Sequence, residues 1–169
     1  WLARNGFAGL HLAAIDPAQR VRAKIKSLGF DSVTNYVLLP EWKGAFLQDY
    51  ETCIQKRRQK WSEIATATDL PYFPSVSPGW DATPRAAEFG KRRPRRYPWS
   101  PIVINRDPDT FRWAVAEGLA FTLQHSPENP QLFVASFNEW SEGHYLEPCE
   151  RYGMGWLQAI QQAVEDVWR

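Results

Sequence analysis

The sequence predicts an α/β fold of four consecutive strand–helix units, as in half of an eight-stranded (β/α)8 TIM barrel. Short apolar segments of strand type alternate with longer helical segments along all 169 residues. This alternation is typical of a parallel sheet with right-handed crossovers. Polar and aromatic side chains follow the predicted strands, which is where a β/α barrel builds its active site. A complete barrel needs about 250 residues, so we expect residues 1–169 to form its carboxyl-terminal half as a single domain.

A doubly wound sheet is the other architecture that fits this alternation, and it often binds a dinucleotide. Such a fold carries a glycine-rich phosphate-binding turn after its first strand. The segment that follows the first predicted strand is Asp16-Pro17-Ala18 and lacks that motif. The pattern therefore favours the half-barrel.

The first two units are predicted from composition and from residues that start or stop helices. Phe7–Ile15 is predicted as a strand, and Asp16-Pro17 then starts a helix over Ala18–Leu28. Gly29 is placed to end that helix. Phe30–Val37 is rich in β-branched and aromatic residues and is predicted as the second strand.

The same alternation continues to the end of the chain. Helical periodicity and apolar runs again decide the assignments, and a long irregular loop in a compact domain is usually functional or mobile. The segments are, in order, helix Tyr50–Asp69, strand Leu70–Ser77 interrupted by Pro74, loop 82–106, helix Asp107–His125, strand 132–137 and helix Gly153–Val167.

Composition and charge exclude several classes of function. The formal net charge is +1, so no global field favours nucleic acid or a membrane surface. No segment approaches the ~18 apolar residues of a membrane span. The two cysteines lack metal or redox spacing, and we read Cys53 as a small apolar residue of a helix. We expect no metal and no cofactor. The chain starts at Trp1 rather than Met, so we expect a piece of a longer protein and leave its compartment, cytoplasmic or periplasmic, open.

The segment 131–152 concentrates the residues that could carry chemistry. A buried strand is followed at once by Glu139 and Glu142, three positions apart. Glycoside cleavage needs two carboxyl groups, about 5–5.5 Å apart for retention or about 6.5–9.5 Å for inversion. Asn138 and His144 can orient the acids, while Trp140 can exclude water and raise the pKa of one of them. Two glutamates at this spacing also fit a solvated acidic turn, but these neighbours favour an active site.

Further candidates follow the other strands. Trp80 and Asp81 close a Pro-Gly turn after the third strand, and Arg85 follows them; Asn35 and Tyr36 end the second strand. We predict that all five contact a sugar. A purely structural turn is the alternative for Trp80 and Asp81, and pairing with Asp81 is the alternative for Arg85.

Other residues are given structural roles. His11 is predicted to be a core histidine, and His125 to interact with a helix dipole. The basic run Lys91–Arg96 is either a solvated loop or a contact for phosphate or acidic polysaccharide.

Two motifs together carry a resemblance to a known family. The string Phe137–Gly143 (FNEWSEG), followed by Tyr145–Pro148 (YLEP), resembles the signature of glycoside hydrolase family 99, the endo-α-mannosidases, and of their bacterial WbsX-like relatives. Pro78–Asp81 (PGWD) and Leu2–Gly6 (LARNG) fit the same pattern in the same order. The family's pattern is not followed at Trp80 and Cys149, so the resemblance does not supply the substrate.

The resemblance implies a β/α barrel in which Glu139 acts as base on the sugar's own 2-hydroxyl and Glu142 as acid/base. We therefore expect a retaining glycoside hydrolase that cleaves an α-linked glycan. A WbsX-like glycosyltransferase of lipopolysaccharide or surface-polysaccharide assembly is the first alternative, and an inactive carbohydrate-binding fragment is the second. An open barrel edge predicts self-association or pairing with the other half of the barrel.

Overall fold

The computed structural model describes residues 1–37, 40–89 and 94–168. Its helices are α1 Gln19–Arg22, α2 Tyr50–Thr66, α3 Pro108–His125 and α4 Gly155–Val167. Its strands are β1 Ala13–Ile15, β2 Ser32–Thr34, β3 Leu47–Asp49, β4 Tyr72–Phe73, β5 Ser75–Val76, β6 Ile102–Ile104, β7 Phe133–Val134, β8 Asn138–Glu139 and β9 His144–Tyr145. Within these residues, no helix is both long enough and apolar enough to cross a membrane.

The main strands run parallel in chain order, which is the arrangement of part of a β/α barrel. β1 pairs with β2, and β2 pairs with β4. Pro74 separates β4 from β5, because proline has no N–H to donate to a ladder. β5 then pairs with β7. The predicted third strand is thus one segment that pairs with the second strand through its first half and with the fourth through its second half.

Three helices match their predictions to within a few residues, because each has a long periodic pattern, and two of them also begin at a capping aspartate. The Asp49 carboxylate accepts the Thr52 N–H at 3.0 Å and caps α2. Asp107 caps α3 in the same way, as the sequence predicted. α3 and α4 pack together through Phe111 and Trp156.

The first predicted strand and helix are much shorter than expected. Only Ala13–Ile15 of the predicted Phe7–Ile15 forms a strand, and residues 7–12 are exposed. The prediction of a core role for His11 is wrong, because its side chain lies at the surface with Nε2 2.8 Å from Ser32 Oγ. The helix predicted over 18–28 forms α1 and a separate 3-10 turn, since Ile25 is its only buried residue.

The loop predicted over 82–106 contains regular structure. Thr83–Phe89 forms a 3-10 helix, and β6 pairs in parallel with β3, outside the main sheet. Both strands have three residues, which is too short for an alternating pattern to be recognised.

Apolar side chains along β1 remain at the surface. Leu10, Leu12 and Ile15 are 63%, 42% and 60% exposed. These side chains form the open edge that the sequence predicted, and self-association through it stays a prediction.

Candidate active site

The two candidate carboxylates lie on a short hairpin that follows β7. β8 and β9 pair antiparallel with Glu139 opposite His144, and the 3-10 turn Trp140–Glu142 connects them. Gly143 closes the turn with a φ of +70°, which favours glycine. A Cβ on Gly143 would also lie 2.9 Å from the backbone nitrogen and the Cβ of Asp81. The hairpin therefore packs directly against the Pro78–Asp81 turn.

Arg85 joins the two carboxylates through one guanidinium group. Its Nη2 lies 3.2 Å from Glu139 Oε1, and its Nη1 lies 3.0 Å from Glu142 Oε1. The Glu142 side chain is 9% exposed, whereas that of Glu139 is 33% exposed. The structure thus brings three predicted site residues together, with the two acids in different environments.

Two hydroxyl groups that the sequence analysis did not single out complete this contact. The Tyr97 hydroxyl accepts from Arg85 Nη1 at 2.9 Å and donates to Glu142 Oε1 at 3.2 Å. Ser141 accepts from Arg85 Nε at 2.8 Å and donates to Glu139 Oε1. Ser141 lies inside the FNEWSEG string, which could have revealed it. Tyr97 lies 45 residues from Glu142 and has no such signal.

His144 is fully buried and supports Glu142 from the side of the core. Its Nε2 lies 3.1 Å from Glu142 Oε2, and its Nδ1 lies 2.9 Å from Ser136 Oγ. The Trp80 ring stacks on the imidazole at 5.6 Å. Burial lowers the pKa of His144 despite the facing carboxylate. We infer that the ring is neutral, with its Nε2 proton directed at Glu142 and its Nδ1 accepting from Ser136.

The surroundings of Glu139 favour its ionised form. The hydrogen bond from Ser141 lowers the pKa of Glu139, and the Arg85 guanidinium lowers it further. Tyr36 is 48% exposed, and its pKa is raised by desolvation and then by the charges of Glu142 and Glu139. Its ring also contacts the His144 ring edge-on at 6.1 Å. Tyr36 therefore lies close to the carboxylates, and its contact with a sugar stays a prediction.

Trp140 and Asn138 are exposed on the same hairpin. Trp140 is 44% exposed, stacks on Tyr145 with ring centroids 3.6 Å apart, and donates from Nε1 to Glu147. The described contacts of the indole are therefore with these residues rather than with the two acids. Asn138 pairs with Tyr145 through the backbone and exposes its side chain.

Three other candidate side chains are buried or are hydrogen-bonded to other parts of the protein. Asn35 is 3% exposed: its Oδ1 accepts from Tyr72 and from the Ser75 N–H, and its Nδ2 donates to the Ser75 carbonyl. Trp80 is 4% exposed. The Asp81 carboxylate accepts the N–H and hydroxyl of Thr83 and starts a 3-10 helix. These side chains shape the site from behind.

The described residues contain no cluster of His, Cys, Asp or Glu that could hold a metal ion. In the basic run, Lys91, Arg92 and Arg93 fall outside the described residues, and Arg95 and Arg96 are exposed.

Comparison with known proteins matches this chain to carbohydrate-active families. Residues 1–160 match the family model described as glycosyltransferase WbsX. Two strains of Xanthomonas campestris pv. campestris have relatives named uncharacterized protein WxcX, each 28% identical over 97% of this chain. The chain spans only 23% of the length of these relatives.

Two solved structures share the fold. A glycoside hydrolase-like protein superimposes with a TM-score of 0.65 at 17% identity, over 95% of this chain and 45% of its own. A family 99 endo-α-mannosidase from Bacteroides thetaiotaomicron gives a TM-score of 0.51 at 20% identity, over 97% of this chain and 46% of its own. The chain thus corresponds to less than half of each structure.

Proposed function

The chain belongs to the WbsX glycosyltransferase family, and we propose that it carries the catalytic carboxylates of a retaining glycoside hydrolase acting on an α-linked glycan. One observation carries this proposal. Glu139 and Glu142 contact the same guanidinium but differ in burial and in hydrogen-bond partners. Two neighbouring carboxyl groups held in different environments are suited to the separate roles of base and acid.

Glu139 is suited to be the base. The hydrogen bond from Ser141 and the charge of Arg85 lower its pKa and keep it ionised at neutral pH. In the first step it removes the proton of the sugar 2-hydroxyl, whose oxygen attacks the anomeric carbon as the glycosidic C–O bond breaks. Attack by a hydroxyl of the same sugar ring has a large effective molarity. In the second step Glu139 returns the proton to that oxygen.

Glu142 is suited to be the acid/base. Its carboxyl group is nearly buried, and the neutral His144 holds it by a hydrogen bond at 3.1 Å. In the first step Glu142 protonates the departing oxygen. In the second step it removes a proton from the water that attacks the anomeric carbon as the bond from that carbon to the 2-oxygen breaks. The two displacements together retain the anomeric configuration.

Arg85 sets a condition on this chemistry. Glu142 Oε2 is hydrogen-bonded to His144 and Oε1 lies 3.0 Å from the Arg85 guanidinium, so the guanidinium occupies the carboxyl oxygen that would have to face the departing oxygen. We therefore expect Arg85 to release Glu142 and keep its bond to Glu139 when a sugar enters. Arg85 is exposed on the surface, so this side-chain movement needs no repacking of the core.

The sugar contacts that we propose are the exposed side chains around the carboxylates. The Trp140 ring, stacked on Tyr145, presents a flat apolar face of the kind that packs on a sugar ring. Asn138, next to Glu139 in β8, and Tyr36, whose ring contacts that of His144, supply further exposed polar groups. The buried Asn35 and Trp80 are left with positioning roles.

Glutamine substitutions test the two roles. In the polypeptide that carries this chain, Glu139→Gln is expected to reduce kcat by at least about 100-fold, the typical contribution of general acid–base catalysis. Glu142→Gln is expected to reduce kcat by a similar factor with alkyl glycosides. The reduction in kcat should be smaller with aryl glycosides, because their leaving groups need little protonation. Glu150→Gln, an exposed glutamate after the hairpin, is the matched control. Hydrolysis of α-mannan or α-linked oligosaccharides that survives both catalytic substitutions would contradict the proposal.

A glycosyltransferase is the second candidate, and the description of the family favours it. Release of nucleotide from a nucleoside diphosphate sugar, dependent on Glu139, would support transfer over hydrolysis. Binding of glycan with neither reaction would favour the carbohydrate-binding fragment.

A further inference from the structure

A second cleft lies between the loop 40–42 and one face of α2. Its volume is about 420 Å³, within the usual range of roughly 300–1,000 Å³ for a small-molecule site. Lys56, Arg57 and Lys60 line it from α2. Cys53 also lines the cleft, and the four residues are spaced i, i+3, i+4 and i+7. One face of α2 therefore forms one wall of the cleft.

The cleft carries an excess of positive charge. Its lining combines three basic side chains with two acidic ones: Glu41 pairs with Lys56 at 3.1 Å, and Asp16 accepts the Tyr36 N–H at 2.9 Å. Lys60 has no ion pair within the described part of the chain. Like charges one helical turn apart, as at Lys56 and Lys60, destabilise a helix. An anion bound in the cleft would remove that repulsion.

Trp42 provides an aromatic wall beside these cations. It lines the cleft, and its side chain is 49% exposed. Its ring packs edge-to-face on Trp80 at 5.6 Å. An exposed indole next to lysine and arginine side chains offers a surface for a sugar ring together with partners for a charged substituent.

Two series of contacts connect the cleft to the candidate active site. Trp42 contacts Trp80, and Trp80 stacks on His144. On the other side, Asp16 holds the backbone of Tyr36, whose ring contacts His144. Each wall of the cleft thus contacts a residue that in turn contacts the imidazole supporting Glu142.

The chemistry of the cleft is that of binding rather than of covalent catalysis. Burial raises the pKa of the Cys53 thiol to about 11. The thiol also lies 3.6 Å from Gln48 Oε1, to which it donates. A protonated, hydrogen-bonded thiol is a poor nucleophile.

We propose that this cleft is a subsite for an anionic sugar, with the ring against Trp42 and its carboxylate or phosphate bound by Lys60, Lys56 and Arg57. The proposal rests on the carbohydrate-active function and narrows its substrate class to acidic glycans or sugar phosphates. A uronic acid residue and a nucleoside diphosphate sugar are the two sources of such an anion.

Calorimetric titration of the chain tests this subsite without requiring turnover. The probes are a disaccharide containing glucuronate, GDP-mannose, and neutral α-mannobiose. At least one anionic probe is expected to bind about tenfold more tightly than the neutral one, and its affinity should fall with added salt. Lys60→Gln should weaken that binding at least about fivefold. Lys26→Gln, at an exposed lysine in the 3-10 turn Lys26–Leu28, should leave it unchanged.

Equal affinity for the three probes would overturn the proposal, as would a loss in Lys26→Gln as large as in Lys60→Gln. The anionic probe that binds identifies the source, since the glucuronate disaccharide indicates an acidic glycan and GDP-mannose indicates a sugar donor. Glu139→Gln and Glu142→Gln should keep anion binding. If hydrolysis is not observed but anionic probes still bind, the proposed reaction fails while the proposed subsite stands. The two proposals can therefore fail independently.

Discussion

Replacing His144 by phenylalanine tests the physical core of the site without any knowledge of the substrate. Phenylalanine keeps a ring against Trp80 but removes both ring hydrogen bonds. Ser136 retains the His144 carbonyl as a partner at 3.1 Å, whereas the buried Glu142 Oε2 is left unsatisfied. One such oxygen costs about 1–3 kcal/mol of unfolding free energy. This corresponds to a decrease in Tm of about 2–12 °C for a chain of this size.

The pH dependence of stability is the sharper measurement. Burial lowers the pKa of His144 below the ordinary histidine value of about 6.5, which the unfolded chain retains. The unfolded state therefore binds the proton first as the pH falls. The wild-type chain should lose stability below about pH 6.5, by at most about 1.4 kcal/mol per pH unit from this group.

Urea unfolding from about pH 5 to about pH 8 should show this slope in the wild-type chain but not in His144→Phe. His144→Gln provides a second non-titrating variant if the phenylalanine ring does not fit. His125→Gln is the matched control, because His125 is an exposed histidine at the end of α3, and the slope that is lost in the His144 variants should persist in this one. Equal slopes in the wild-type and both His144 variants would refute the assignment of a neutral, buried imidazole.

Two further substitutions test the contacts around the hairpin. Arg85→Met should raise the pKa of Glu139, because the guanidinium that stabilises the carboxylate is lost. NMR titration of the Glu139 carboxyl carbon measures this pKa. An unchanged pKa would contradict the ion pair between Arg85 and Glu139. The cost in stability should be only about 0.2–1 kcal/mol, as for other exposed ion pairs. Gly143→Ala should destabilise the chain by about 1–3 kcal/mol in urea unfolding, because of the positive φ and the close approach of Asp81. Gly9→Ala, where nothing lies within 4 Å, should have little effect, and a cost equal to that of Gly143→Ala would count against this explanation.

Local signals were sufficient for much of the fold. The long periodic segments 50–69 and 107–125, with Asp107 as the start of the second, predicted α2 and α3 nearly to their ends. The predictions for segments with weaker signals were wrong. The helix predicted over 18–28 buries only Ile25, and the three-residue strands β3 and β6 are held by pairing with each other rather than by any pattern of their own.

In the candidate site, too, the residues with a local sequence signal were predicted and the others were not. The hairpin residues Glu139, Glu142 and His144 could be predicted because one short motif contains them all. Asn35 at a strand end looked equally suited to a ligand, but its amide is used to join neighbouring strands. Whether a polar side chain faces solvent or bridges the core depends on what the fold places opposite it.

The sequence by itself determined the alternation of strands and helices, the polar ends of the strands and the motif with both glutamates. These features are local, because capping, periodicity and turn chemistry act over a few residues. Only the tertiary structure decided that Arg85, 54 residues from Glu139, contacts both acids, that Tyr97 completes the contact, and that His144 is buried. Such contacts depend on strand order and on the packing of Trp80 behind the hairpin, and no local pattern encodes distances between residues so far apart in the chain.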